Sequence, residues 1–304
     1  MNDPLPSPKS VLTIAVVGVG AIGSTFAYHL AHAGHDVTAI ARPDSTRLRQ
    51  LQRDKAIVLR SGEQARVRLA HQLDEDVVYD LVLVTLLAHQ VDAVLPALCR
   101  SKAAALQFMF NNFDPERLSK AVGEGRCSFG MPFVMSTLDG DGRLETRANP
   151  GQNTLHGDTR WAALFAAAGM ASAFEPKMRL WLRCHAPICI AMESICVAGQ
   201  RRGSGAGWRE AVTVARGLRA GFAIIKGLGD SLYPTSKARL ASCPTPVLAC
   251  MLWMASRVPS FRRLLSQGLL ECRALADAIA SSAKAANPPM ADLAARVVAM
   301  KPGA

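Results

Sequence analysis

The chain has 304 residues, half of them apolar and 19% charged, with a net charge of +11 and an isoelectric point near 9.6. That length accommodates two domains, and that composition excludes a disordered chain. The basic surplus is scattered and comes with no helix-turn-helix, zinc-finger or RNA-binding signature, so no nucleic-acid partner is expected; a diffuse basic surface still attracts an anionic cofactor and substrate.

Residues 1–10 are polar, carry three prolines and read as a loose tail rather than a secretory signal. Residues 11–17 form a continuous apolar, β-branched run, the pattern of a buried parallel strand. A glycine turn follows, then a helix on which Ile22, Phe26 and Leu30 recur every four residues and which Gly34 stops. Residues 37–41 are a second strand, and Asp44 or Ser45 caps a polar helix running to about Arg53. Ser61-Gly62 sits between residues 56–60 and 64–70 as a hairpin turn. Residues 80–86 are a buried strand, 91–98 a helix and 104–110 a strand that opens into the polar turn Asn111-Asn112-Phe113-Asp114-Pro115. Two or three strands are expected between Arg126 and Asp158, then a helix over 159–170 and a strand over 171–174.

Alternation of strand and helix points to a mostly parallel, doubly wound sheet. After Pro176 the strand patterns vanish, and residues 177–300 read as helices only, broken near 201–207, 233–234, 243–246, 258–259 and 287–289. The expected fold is therefore α/β: a Rossmann-type doubly wound sheet over 11–176, then an all-α domain over 177–304. The longest apolar runs, 246–255 and 186–192, are short of the roughly 20 residues a membrane span needs, so no membrane partner is expected. The eight cysteines form no CxxC pair and stand beside no histidine cluster, which argues against a metal site and for buried thiols in a reducing, cytoplasmic setting.

Gly18-Val19-Gly20-Ala21-Ile22-Gly23 is a GxGxxG turn with a strand before it, a helix after it and a second strand some 20 residues on. Gly18 allows the tight turn, Gly20 lets backbone approach a pyrophosphate, and Gly23 lets helix and strand pack closely. The helix start then offers free N–H groups and a positive dipole end to the phosphates. At the end of the second strand, where NAD enzymes place a carboxylate, the chain reads Ala41-Arg42-Pro43-Asp44-Ser45, and Asp36 stands at the wrong end. A guanidinium pairs with a 2′-phosphate through two parallel hydrogen bonds, and Ser45 offers a further donor, so NADP(H) is favoured over NAD(H).

Gly18–Gly23, the Ala41-Arg42 strand end, residues 80–86 running into Ala88-His89-Gln90, and Asn111 after the strand 104–110 together resemble the ketopantoate reductase family, over nearly the whole chain. The resemblance implies NADPH-dependent reduction of the 2-keto acid ketopantoate, in pantothenate biosynthesis. It implies that Gly18, Gly20, Ala21, Ile22 and Gly23 hold the pyrophosphate and Arg42 the 2′-phosphate. Gln90 then lies near the adenosine, Asn111 beside nicotinamide and substrate, and Glu271 orients substrate, with Ser260 near the family's serine. The departures concern chemistry. Leu87 and Arg183 stand where the family has lysines, the second being its proton donor; Pro187 and Ala191 replace asparagines four and eight residues on. The nicotinamide loop reads Phe110-Asn111-Asn112, and Leu264 is nearest to an expected aspartate.

A guanidinium does not give up its proton at neutral pH, but Arg183 can clamp a carboxylate or stabilise an alkoxide. His185, on the same helix, and Glu193, in an apolar run, are alternative acids; Glu193 either has a raised pKa or pairs with an arginine. His29, His32, His35, His71 and His156 read as surface or helix-end residues. Pro187 is expected to bend or interrupt its helix, and Arg201-Arg202-Gly203-Ser204-Gly205 reads as a loop before an anion site. The leading expectation is a reductase of a small anionic 2-keto acid, with Arg183, Glu271 and Asn111 as its catalytic set. An imine or opine-type reductase and a non-enzymatic NADP(H)-binding protein are the alternatives; a homodimer is left open.

Overall fold

The computed structural model describes residues 11–266 and 268–302; the expected tail at 1–10 lies outside them. The chain divides into two compact units, residues 1–110 with 116–178, and residues 111–115 with 179–304.

The first unit is built on β1 (Thr13–Val17), α1 (Ala21–His32), β2 (Asp36–Ile40), α2 (Thr46–Asp54), β3 (Ala56–Val58), β4 (Gln64–Arg66), β5 (Arg68–Ala70), β6 (Leu81–Val84), α3 (Leu95–Arg100), β7 (Leu106–Met109), α4 (Pro115–Val122), β8 (Cys127–Met131), β9 (Val134–Leu138), β10 (Leu144–Ala148), β11 (Thr154–His156), α5 (Thr159–Ala167) and β12 (Ser172–Phe174). Eight strands form one sheet in the order β12-β11-β8-β7-β6-β1-β2-β5. Every pairing in it is parallel except β11 on β8. From β1 the chain passes to β2 on one side and later to β6 on the other, so the direction of winding reverses at β1. This is the Rossmann-type arrangement, and the carboxyl end of β1 is its switch point. Ile14, Val16, Leu81 and Leu83 are completely buried, and Phe26 of α1 meets Phe165 of α5 edge to face at 5.1 Å.

Several expectations need correction. Four strands, not two or three, lie between Arg126 and Asp158, because the Asp139–Arg143 turn folds β9 and β10 into a hairpin of their own. Residues 64–70 form two strands: β4 pairs with β3, and β5 joins the main sheet beside β2. The helix expected at 91–98 is a 3-10 turn, Ala88–Ala93, followed by α3. His156 is not at the surface: it is fully buried in β11, its Nδ1 3.0 Å from Gln107 Nε2 of β7, and burial pulls its pKa down to about 4. Cys99 and Cys250 are exposed, whereas Cys184, Cys196 and Cys272 are buried, and all eight thiols are free.

The second unit is helical: α6 (Met178–Arg202), α7 (Trp208–Gly227), α8 (Thr235–Ser242), α9 (Thr245–Ala255), α10 (Pro259–Leu264), α11 (Leu269–Ala285) and α12 (Ala291–Ala299). α6 runs unbroken through Pro187. A proline there removes its own N–H and deprives the Arg183 carbonyl of a helical partner, yet packing holds the rod together: Pro187 is seated where Gly221 of α7 has no side chain. α6 is long and apolar enough to cross a membrane, but 61% of its apolar window is buried inside the protein, as in a core helix.

Candidate functional site

In the first unit the glycine turn lies at the switch point, where open α/β sheets bind ligands. Gly18 adopts φ +96°, a backbone state that L side chains rarely adopt, and donates to the Ile40 carbonyl (3.1 Å). A Cβ on Gly23 would press on the Gly18 carbonyl and on Thr85 Oγ1, whereas a Cβ on Gly20 would meet nothing within 4 Å. Gly18 and Gly23 thus close the turn, while Gly20 stays open to an approaching group. The first-turn N–H groups of Ala21, Ile22 and Gly23 have no acceptors within their helix. The cradle has the shape and polarity for a pyrophosphate.

Two residues that sequence reasoning missed fix this turn. Thr85, at the end of β6, donates to the Gly18 carbonyl (2.7 Å). Arg47, from α2, donates to the Val19 carbonyl (3.2 Å), to Ser24 Oγ (2.9 Å) and to the Gly142 carbonyl (2.9 Å). Burial lowers the Arg47 pKa to about 10, leaving it cationic at neutral pH. No motif announces either residue, because each acts on backbone oxygens distant in sequence.

Arg42 is exposed just past β2, and among the described residues its guanidinium makes no hydrogen bond or ion pair. Asp36 lies at the other end of β2 and pairs with Arg68 (2.8 Å). Ser45, expected as a phosphate donor, is engaged otherwise: its hydroxyl donates to the Arg42 carbonyl (2.8 Å) and accepts from Leu48 N as the N-cap of α2 (3.1 Å). Gln90 Oε1 accepts from Leu87 N (3.3 Å), bracing the 3-10 turn that follows β6.

In the helical unit, Asn111 accepts from Cys189 Sγ at 3.2 Å, and the Nδ2 of neighbouring Asn112 is buried without a partner. Arg183 is ion-paired with Asp230 and donates to the Phe113 carbonyl (3.2 Å), so it anchors the Asn111–Pro115 segment. The stripe at 183, 187 and 191, which the family pattern fills with lysine and asparagines, does not line an open face: Pro187 packs on α7 and Ala191 is fully buried. The partly exposed positions in mid-α6 are His185, Ile188, Cys189, Met192 and Glu193. Three of these, His185, Cys189 and Glu193, carry chemistry at a spacing of four, and Asn111 touches the middle one. Glu193 accepts from the Gly268 N–H and from Cys272 Sγ (3.1 Å), and burial raises its carboxyl pKa. Among the described residues Glu193 makes no ion pair with an arginine, and its burial is what the raised-acid alternative requires. Burial, then the Lys237 charge, pull His185 down to about 3, so its imidazole is neutral at physiological pH and poorly suited to donate a proton. Glu271, in the first turn of α11, is half-buried beside Cys272, and its charge is felt at Cys189. Ser260 is exposed.

The third residue that the sequence did not announce is Lys237, in α8. Only 7% exposed, it donates from Nζ to the Trp181 carbonyl (2.8 Å) and lies 3.5 Å from the centroid of the Trp181 ring, which packs on His185. Its charge reaches Cys184, His185 and Cys189. Among the described residues no three His, Cys, Asp or Glu side chains come together so as to hold a metal ion.

A Rossmann unit with an open glycine cradle at its switch point, followed by an all-helical unit, defines a class of dinucleotide-binding proteins. Within that class, residues 14–158 match the family model described as ketopantoate reductase PanE/ApbA. It is 32% identical over 152 residues to the 2-dehydropantoate 2-reductase of Vibrio cholerae, 49% of this chain and 46% of that one, so the match spans about half the length of that relative. Among solved structures, D-mandelate dehydrogenase with NADH is similar at a TM-score of 0.71 and 14% identity, over 95% of this chain and 97% of that one. A PanE/ApbA family ketopantoate reductase from Ralstonia eutropha JMP134 is similar at 0.68 and 21% identity, over 94% and 96%. Yersinopine dehydrogenase with NADP+ is similar at 0.69 and 12% identity, over 95% and 90%. These likenesses show the fold.

Proposed function

We propose that this chain is an NADPH-dependent oxidoreductase that reduces a small 2-keto acid to the 2-hydroxy acid. The observation that carries the reading is the glycine cradle with the unengaged guanidinium of Arg42 at the end of β2. Bound NADPH supplies a hydride to the keto carbon; the carbonyl oxygen then needs a proton, and the substrate carboxylate a counter-charge.

Asn111 orients the reacting carbonyl through its amide, held by the Cys189 thiol. Glu271 orients the substrate's hydroxyl or carboxyl groups, and Arg183 keeps the Asn111–Pro115 segment in place. Lys237 delivers the proton: it is a buried ammonium of α8 held on Trp181 at the start of α6, and an ammonium can release a proton where a guanidinium cannot. The departure of Arg183 from the family's lysine is thus compensated from another helix.

The test is titration of NADPH and NADH by calorimetry, followed by absorbance of bound NADPH with ketopantoate and a panel of 2-keto acids. NADPH is expected to bind more tightly than NADH and to be oxidised by at least one keto acid. Oxidation only when an amine is added would favour the imine reading, and tight binding without turnover the non-enzymatic one. Lys237→Met should lower kcat by about 10²–10⁴-fold with NADPH affinity unchanged. A variant that keeps wild-type kcat and pH profile would remove Lys237 from the chemistry.

A further inference from the structure

The helical unit contains a cavity of about 450 Å³ away from the stripe described above, formed where the end of α6, the start of α7 and the end of α12 meet. Its size is that of a small-molecule pocket. The lining sorts by depth. Val214 (6% exposed) and Met300 (1%) give an apolar floor, and Ser194 (4%) lies among them. Arg201, Arg202 and Arg209, all exposed, stand at the mouth with Lys301.

Two independent features point to a ligand. The first is the Ser194 hydroxyl, which is buried and has no hydrogen-bond partner among the described residues. A helical serine ordinarily satisfies itself on the carbonyl four residues back; leaving a buried hydroxyl unmatched costs about 1–3 kcal/mol, a cost that a bound polar atom removes. The second is the charge. Glu210, the carboxylate in the lining, is bonded to Arg202 (2.9 Å) and to the Gly207 N–H (2.7 Å). Lys301 pairs with Asp277, outside the lining. Among the described residues, four cations thus line the mouth with one carboxylate.

We propose that this cavity is a second ligand site, which takes a small organic anion. Its oxyanion head, phosphoryl or carboxylate, is held by the guanidinium of Arg209, its apolar body lies on Val214 and Met300, and one polar atom reaches the Ser194 hydroxyl. Guanidinium pairs with either head through two parallel hydrogen bonds. The site is formed wholly within the helical unit, and it does not depend on what the glycine cradle holds.

The experiment uses the full chain saturated with NADPH, which keeps phosphates off the glycine cradle, and calorimetry with phenyl phosphate, phenylacetate, inorganic phosphate and benzyl alcohol. Phenyl phosphate or phenylacetate is expected to bind saturably, whichever is tighter identifying the head. Inorganic phosphate should bind more weakly, for want of an apolar body, and benzyl alcohol not at all. Arg209→Ala should weaken the organic anion at least tenfold and Ser194→Ala severalfold. Arg209 is exposed and Ser194→Ala only removes a hydroxyl, so both variants should fold with wild-type thermal midpoints. The proposal is overturned if neither organic anion binds more tightly than about 10 mM, if benzyl alcohol binds as well as they do, or if both variants bind like wild type.

Discussion

Gly20 and Gly23 stand three residues apart in one turn and answer to opposite demands. At Gly20 a methyl group meets empty space, so Gly20→Ala should leave the thermal midpoint nearly unchanged and weaken NADPH, because the methyl occupies the approach of the pyrophosphate. At Gly23 the same methyl meets the Gly18 carbonyl and Thr85 Oγ1, so Gly23→Ala should destabilise the chain by about 1–3 kcal/mol, the usual scale of overpacking, read by chemical denaturation. Arg42→Ala separates the cofactors: NADPH should bind roughly ten- to a hundredfold more weakly, the scale of hydrogen bonds to a charged group, and NADH as before. Equal losses for both cofactors would show that Arg42 does not read the 2′-phosphate. At this scale the sequence was most informative where backbone geometry imposes a residue type, as at Gly18, Gly20 and Gly23. It was silent on Arg47 and Thr85, whose partners are carbonyl oxygens 28 and 67 residues away, and it read Ser45 both as helix cap and as phosphate donor, two uses of one hydroxyl of which the structure shows the cap.

α6 shows why a helix can be assigned correctly and its functional face wrongly. The apolar pattern over 177–202 predicts the helix, but Arg183, Pro187 and Ala191 share a spacing of four with His185, Cys189 and Glu193, two residues on. Nothing in a single sequence says which stripe faces α7. The packing of Pro187 on Gly221 decides it, and that contact joins segments far apart in the chain. Restoring lysine at 183 should give no gain of turnover, because that side chain is held by Asp230 and the Phe113 carbonyl; Arg183→Lys should instead lower the thermal midpoint, since an ammonium cannot reproduce the guanidinium's pairing geometry. A gain of keto-acid turnover in that variant would return the catalytic role to residue 183. The strands between Arg126 and Asp158 show the same limit in the first unit: β9 and β10 are bounded by legible turn residues, but the hairpin they form outside the main sheet follows from where their side chains find cover.

Across the whole molecule, the fully buried His156 and the half-buried His185 make both units sensitive to acid. His156 in the first unit and His185 in the second are held neutral by burial, their pKa values drawn from 6.5 down to about 4 and about 3. Unfolding returns each imidazole to water, where it takes up a proton below pH 6.5. The folded state therefore binds fewer protons than the unfolded one over that range, and stability, fully present above pH 6.5, falls as the pH drops. Each histidine contributes a slope approaching about 1.4 kcal/mol per pH unit, and His156 a total of about 3 kcal/mol. The first unit should stop losing stability from this source near pH 4, the second nearer pH 3. Carboxylates such as Asp158, whose pKa is lowered chiefly by hydrogen bonds from Arg160 set against its own burial, lose their contribution in the same direction only as the pH approaches their own range. Denaturant titrations between pH 7.5 and 4 should thus show a steady decline that begins near 6.5. His156→Asn, which keeps a neutral polar group beside Gln107, should flatten the decline in the first unit, at some loss of packing against Phe165, whose ring centroid is 4.5 Å from that of His156. Saturating NADPH should raise the stability of the first unit at pH 7.5. A decline of the same slope in His156→Asn would place the acid sensitivity of that unit elsewhere.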